Sequence, residues 1–102
     1  MGEYARSTSF TIGATSTVLS EPMYHPSVRK ALVIVNTSTG GQIISIAFGG
    51  EAVAGSGIVL APYGEWSETL DSRFTPSQDM ISAISSAAGG TIGFHERIME
   101  VV

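Results

Sequence analysis

Two histidines, His25 and His95, are the first residues that could do chemistry. They stand 70 positions apart, and neither lies in an H-x-x-x-H or H-E-x-x-H spacing. Zinc needs three or four ligands at workable spacing, so both read as surface residues and no metal site is expected. On a strand, the adjacent His95 and Glu96 point to opposite faces. Glu65, Glu68 and Asp71 crowd one short stretch. Glycoside hydrolysis requires two carboxylates set across the scissile bond, whereas this cluster reads as a solvated acidic face. Asp71, Ser72 and His95 supply the letters of a nucleophilic triad, but with 14 serines in the chain such letters arise by chance. No G-x-S-x-G elbow is present, because the glycines of Gly55-Ser56-Gly57 flank the serine directly. A phosphate loop is missing too, and Lys30 is the only lysine. The expectation is a protein that is not an enzyme and takes no cofactor.

Five cations (Arg6, Arg29, Lys30, Arg73 and Arg97) face nine carboxylates, for a net charge of −4. So acidic a chain is a poor match to a phosphate backbone. Its aromatics do not interleave with the cations as single-strand binders require, so nucleic acid is not an expected partner. Arg29 and Lys30 read as edge protection for a strand. The aromatics Tyr24, Tyr63, Trp66 and Phe74 could stack on sugar rings, with Trp66 expected in the core and Tyr63 exposed at a turn. No cysteine occurs, which excludes disulfides and thiolate chemistry and fits a reducing cytosol. The polar start MGEYARSTSF leads into no apolar signal region. No run of about 18 apolar residues exists to span a bilayer, so no membrane partner is expected, and Met1-Gly2 reads as an ordinary start.

The elements that must position these residues are strands. Ile (10) and Val (8) outnumber Leu (4), and Ser plus Thr reach 23; β-branched side chains pack well on pleated surfaces. Runs are expected at Ser7 to Ile12, Thr15 to Ser20, Arg29 to Asn36, Gln42 to Phe48, Ile58 to Leu60, Glu65 to Leu70, Met80 to Ser86 and Thr91 to Ile98. The prolines of Glu21 to Pro26 make that segment a loop or edge crossing. The apolar core of Ala31 to Val35 suggests a central strand covered on both sides. Asn36 to Gly41 should close a hairpin between this strand and the next. Trp66 and Leu70 should point inward with Glu68 a misfit between them. The fold class is therefore all-β, a single β-sandwich or jelly-roll-like domain of about eight short strands over residues 10–98. Residues 1–9 read as an N-terminal arm and 99–102 as a C-terminal tail, both ordering on a partner.

Charge is unevenly placed. Only Glu51 is charged between Ala31 and Gly64, and nothing is charged from Met80 to Phe94. Non-core faces built from Ser, Thr, Ala and Gly imply that nominal surface meets another protein.

The stretch from Arg29 to Trp66 resembles small structural proteins of tailed bacteriophages. The matching elements are Arg29-Lys30, Leu32 to Val35, Asn36 to Ser38, Phe48-Gly49, Ala52, Gly57-Ile58, Leu60, Ala61-Pro62 and Gly64. Ile81 to Ile84 and Gly89 to Thr91 look like the pattern's closing strands. Tyr63 departs from it, since that turn usually carries a second Gly after Pro. The resemblance implies a virion protein made in the host cytoplasm, above all a capsid decoration (cement) protein. Such a protein would bind the major capsid protein on the outer shell as a homo-oligomer, with a trimer favoured. Neck, tail or head-fibre roles share the pattern. Tyr4, Arg6, Phe10, Val53, Ile58 and Tyr63 are the candidate interface residues. A carbohydrate- or receptor-binding module using Trp66 and Tyr63 is the alternative.

Overall fold

Alternation of β-branched residues with small polar ones leaves the chain one economical solution, two sheets packed through their apolar faces. A computed structural model describes residues 2–71 and 73–101; Met1, Ser72 and Val102 lie outside the described residues. The strands are β1 (Glu3–Ile12), β2 (Thr17–Ser20), β3 (Ser27–Asn36), β4 (Ile44–Phe48), β5 (Ile58–Leu60), β6 (Glu65–Thr69), β7 (Ile81–Ser85) and β8 (Gly90–Glu100). They form two four-stranded sheets in the orders β1-β8-β3-β6 and β2-β7-β4-β5, with every pairing antiparallel. This is the jelly-roll wiring of two interleaved Greek keys. All eight expected runs are strands, and Glu21 to Pro26 is a crossing without regular structure.

The core follows the alternation. Ile12, Leu32, Ile34, Ile44, Ile46, Ile81, Ala83 and Ile92 are sealed between the sheets, with Leu19, Leu60 and Phe94 nearly so. Phe10 closes one side by setting its ring edge against Phe94, with centroids 6.2 Å apart at 78°, the edge-to-face arrangement that aromatic quadrupoles favour.

Three expectations change. First, β3 and β4 form no hairpin: β3 lies in one sheet and β4 in the other. The segment between them is a crossover held by buried Asn36. Its Nδ2 donates to the carbonyls of Gln42 and Leu60, both at 2.9 Å, and its Oδ1 accepts the Ser38 N–H at 3.0 Å. Asn is suited to such Asx turns, and here its remaining donors reach across to the other sheet.

Second, residues 3–9 are not a free arm. They form the first seven residues of β1 and pair in unbroken register with β8, from Glu3 opposite Met99 to Ile12 opposite Gly90. Met99 and Glu100 of the expected tail belong to β8. Glu3 adds a clip, since its carboxylate accepts from Lys30 Nζ at 3.0 Å and Arg97 Nη2 at 2.9 Å. Hydrogen bonds from these two cations lower the Glu3 carboxyl below its ordinary value.

Third, the uncharged face of the second sheet is partly covered by the chain itself. The loop 49–57 lies over it. Ser45 Oγ accepts the Gly55 N–H and Ser16 Oγ accepts the Ala52 N–H, both at 2.9 Å. Ser45 and Ser82, which point away from the core, are thereby buried. Gly57 lets the loop approach so closely, because a Cβ there would sit 2.6 Å from the Ile46 carbonyl oxygen. Missing charge on β4 and β7 thus reflects internal burial as well as any surface left for a partner.

Candidate functional site

Opposite residues in an antiparallel pair share a face, so the register assigns each side chain to one side of its sheet. In the first sheet Tyr4, Arg6, Thr8 and Phe10 lie opposite Ile98, Glu96, Phe94 and Ile92. All eight therefore face the second sheet. That sheet's edge strand β2 has four residues against ten in β1, so the start of β1 overhangs it. The overhang leaves Tyr4 48% exposed and the Arg6 side chain 54% exposed. Two adjoining hollows open there. One, of about 340 Å³, is lined by Tyr4, Arg6, Leu19, Met23 and Ile98 among others; Thr8, Phe10 and Phe94 help to line the second.

A charged cluster forms the floor. Glu96 and Arg29 have fully buried side chains. Arg29 Nε donates to Glu96 Oε2 at 2.9 Å, and its other nitrogens donate to the carbonyls of Ser77, Asp79 and Glu21 and to Ser20 Oγ. Ser20 Oγ donates to Glu96 Oε2 at 3.1 Å, and Arg6 donates to Glu96 Oε1 through Nε at 3.0 Å and through Nη2. Burial by itself raises the Glu96 carboxyl. The hydrogen bonds and charges of Arg6 and Arg29 outweigh it and hold the group below its ordinary value. Two guanidiniums share the one buried carboxylate, and exposed Glu21 lines the same hollow, so the cleft carries no net charge.

This cluster replaces one sequence expectation. Arg29 does not protect an edge, since β3 is an inner strand of its sheet. Glu96 and His95 point to opposite faces, as expected, and Glu96 takes the inward one. A signal for Glu96 existed: it is in phase with Ile92, Phe94 and Ile98. Arg29 gave none, because a bulge between Arg29 and Ala31 resets the alternation before Leu32.

The remaining candidates separate. Phe10 serves the core. Val53 is 63% exposed on the covering loop, and Ile58 packs half-buried beside the core. Tyr63 is 74% exposed and stands at φ 65°, the left-handed region. Its turn is tight, with the Gly64 N–H on the Ala61 carbonyl at 2.8 Å, and it is laced to Asn36 through that residue's backbone N–H and carbonyl. A non-glycine residue there costs about 1–2 kcal/mol, and no hydrogen bond of the Tyr63 side chain is found among the described residues. Tyr63→Gly should therefore raise the unfolding free energy by about 1 kcal/mol, read from denaturant midpoints at unchanged slope.

Trp66 points inward as expected but is not core. It lies opposite Ile34 on the edge strand β6, is 38% exposed, and donates Nε1–H to Glu68 Oε2 at 3.1 Å. The three-residue β5 across from it is too short to cover the ring. Glu68 is no misfit, since Oε1 accepts the Ser77 N–H. Glu65 and Glu68 lie opposite Val35 and Leu32, on different faces of β6, so they do not bracket a common substrate atom. His95 Nδ1 meets Ser7 Oγ at 2.6 Å in a shallow hollow between Val33, Val35 and Gly93. Among the described residues no carboxylate hydrogen-bonds this histidine, and no group of three or more His, Asp or Glu side chains could hold a metal ion. No helix among them is long and apolar enough to cross a membrane.

Comparison with known proteins adds a likeness of fold. No family model and no curated protein matches the chain. A solved chain from Bacillus endospore appendages, described as a novel family of disulfide-linked pili, aligns with a TM-score of 0.68 at 19% identity. The alignment covers 99% of this chain and 88% of that one. The shared property is the fold. The 102 residues here contain no cysteine, so no disulfide link can form from them.

Proposed function

We propose that the protein is a non-enzymatic structural subunit that completes its burial by assembling. The observation carrying this reading is β1. It is a ten-residue edge strand, in unbroken register, with no Pro, Lys or bulge, beside edges of three to five residues elsewhere. A long edge is a template for another chain, and its overhanging inner face adds Tyr4 and Arg6. The jelly-roll fold is also that of a chain from an assembled appendage. In line with the tailed-phage resemblance, the particle is a virion and the partner its major capsid protein. The subunit would act as an outer decoration protein, as an oligomer for which a trimer is favoured. Many weak contacts to the shell would sum to stable attachment.

Native mass in solution, followed by co-sedimentation with purified capsid shells lacking the protein, tests this. An oligomer that sediments with shells and protects them from heat is the expected result. A monomer that ignores shells overturns it. A second reading, carbohydrate binding at a fibre or tail, draws on the exposed Trp66 and Tyr63 rings. It predicts glycan affinity that disappears in Tyr63→Ala.

A further inference from the structure

We propose that the first sheet continues from copy to copy, the free edge of β6 in one molecule pairing antiparallel with the free edge of β1 in the next. The proposal rests on the structural-subunit reading and names the contact that builds the oligomer. Four strands, each antiparallel to its neighbour, leave the two outer ones running in opposite directions. A second copy in the same orientation therefore offers β6 antiparallel to β1, with the same face of the sheet turned inward. Backbone polarity agrees. Gly2 accepts the Glu100 N–H, which sets the phase of the ladder: even-numbered residues of β1 bond to β8, and odd-numbered ones turn N–H and C=O to the open side. Across the sheet, Gly64 accepts the Asn36 N–H and Leu70 donates to the Lys30 carbonyl. Glu65, Ser67 and Thr69 of β6 thus point their backbone groups outward too. Among the described residues nothing else bonds these groups, or those of Ala5, Ser7 and Ser9.

Side chains select the register. With Ser7 opposite Ser67, the inner face sets Tyr4, Arg6 and Thr8 opposite Leu70, Glu68 and Trp66. Each pair meets a need. Tyr4 is 48% and Trp66 38% exposed, because the short β2 and β5 leave both edges of the inner face uncovered. Arg6 spends Nε and Nη2 on Glu96, while its Nη1 has no partner among the described residues. Glu68 accepts from Trp66 and Ser77 but forms no ion pair among them. Like charges meet nowhere in this register. A slip of two residues either way puts Arg6 opposite Trp66 or Leu70 and takes the cation from Glu68. Pairing β1 with a second β1 around Ser7 would cover more backbone, but it leaves Trp66 exposed and sets the two Arg6 side chains on a diagonal. A contact between two different edges is heterologous, so it closes as a ring, such as a trimer, or runs on as a filament.

The wild-type protein supplies the first test. Residue-resolved amide exchange is compared between dilute and concentrated samples whose mass is read by sedimentation velocity. On association the N–H groups of Ala5, Ser7 and Ser9 and those of Ser67 and Thr69 should slow together, by roughly tenfold or more. Slowing on β1 alone means that β1 pairs with its own kind and overturns the proposal. Slowing on neither edge, or a monomer at every concentration, also overturns it, and sedimentation with shells then decides the structural-subunit reading separately. The second test uses Ser9→Pro and Ser67→Pro, each of which removes an outward N–H without touching a ladder bond. Circular dichroism checks folding, with Ala5→Pro and Thr69→Pro replacing a variant that fails to fold. Either variant alone should associate roughly tenfold more weakly. Mixed, they should form 1:1 pairs and nothing larger, because one intact β6–β1 contact remains per pair. Ser67→Pro associating like wild type, or folded variants that stay monomeric when mixed, overturn the proposal.

Discussion

Glu96→Gln should cost the fold about 3–5 kcal/mol, the usual consequence of removing one partner from a buried ion pair. Among the described residues the carboxylate is the only anion paired with Arg29, whose side chain is fully buried, and Gln leaves that guanidinium charged without a counter-charge. Arg6 loses less, because its side chain is half in water. With total stabilities of about 5–15 kcal/mol for such domains, urea unfolding should shift to much lower denaturant or the chain should fail to fold. Replacing both buried charges, Arg29→Met with Glu96→Leu, should cost less than Glu96→Gln alone, since apolar residues of similar volume need no counter-charge.

The same group sets an acid limb. The folded Glu96 carboxyl lies below its ordinary value of 4.5. A depressed carboxyl stabilises the folded state fully above that ordinary value, and the contribution is lost as pH falls through the folded one. Wild-type stability should therefore decline below about pH 4.5, and this part of the decline should be missing in Glu96→Gln. A variant whose acid limb matches wild type would show that other carboxylates carry it.

Asn36→Ala should cost about 3 kcal/mol, because it strands the buried Leu60 carbonyl and Ser38 N–H at about 1–3 kcal/mol each, with water relieving the part-buried Gln42 carbonyl. For a domain of this size that is a melting-temperature drop on the order of 15 °C. Exposed Thr39 in the same crossover makes the control, and Thr39→Ala should stay within about 0.5 kcal/mol. Equal effects at the two positions would mean that the Asn36 side chain does not hold the crossover.

Much of the architecture could be read from periodicity. β5 is predicted residue for residue, and the inward sets Phe10/Ile12, Ile44/Ile46 and Ile92/Phe94/Ile98 match the buried faces, because period-two alternation is a local property of the chain. Partner choice is not local. Asn-Thr-Ser-Thr-Gly-Gly reads as a hairpin turn, and only Leu60 and Gln42 arriving beside Asn36 make it a crossover. Trp66 has the right phase but lacks cover, since its burial depends on the length of β5 in the other sheet.

The candidate site was less legible for the same reason. Tyr4, Arg6 and Tyr63 were visible as exposed candidates. The cluster beneath them joins residues 6, 20, 29 and 96, and a bulge hid the inward turn of Arg29. An all-β chain, its strands, its core faces and a shortage of charge all follow from residue order alone. The tertiary structure decided where that shortage matters. It places part of the uncharged chain under its own 49–57 loop and turns the expected arm into an edge strand. It also gathers three charges at one end of the sandwich while a strained tyrosine stands at the other. Alternation is written residue by residue, but burial of a face depends on what another part of the chain brings to cover it.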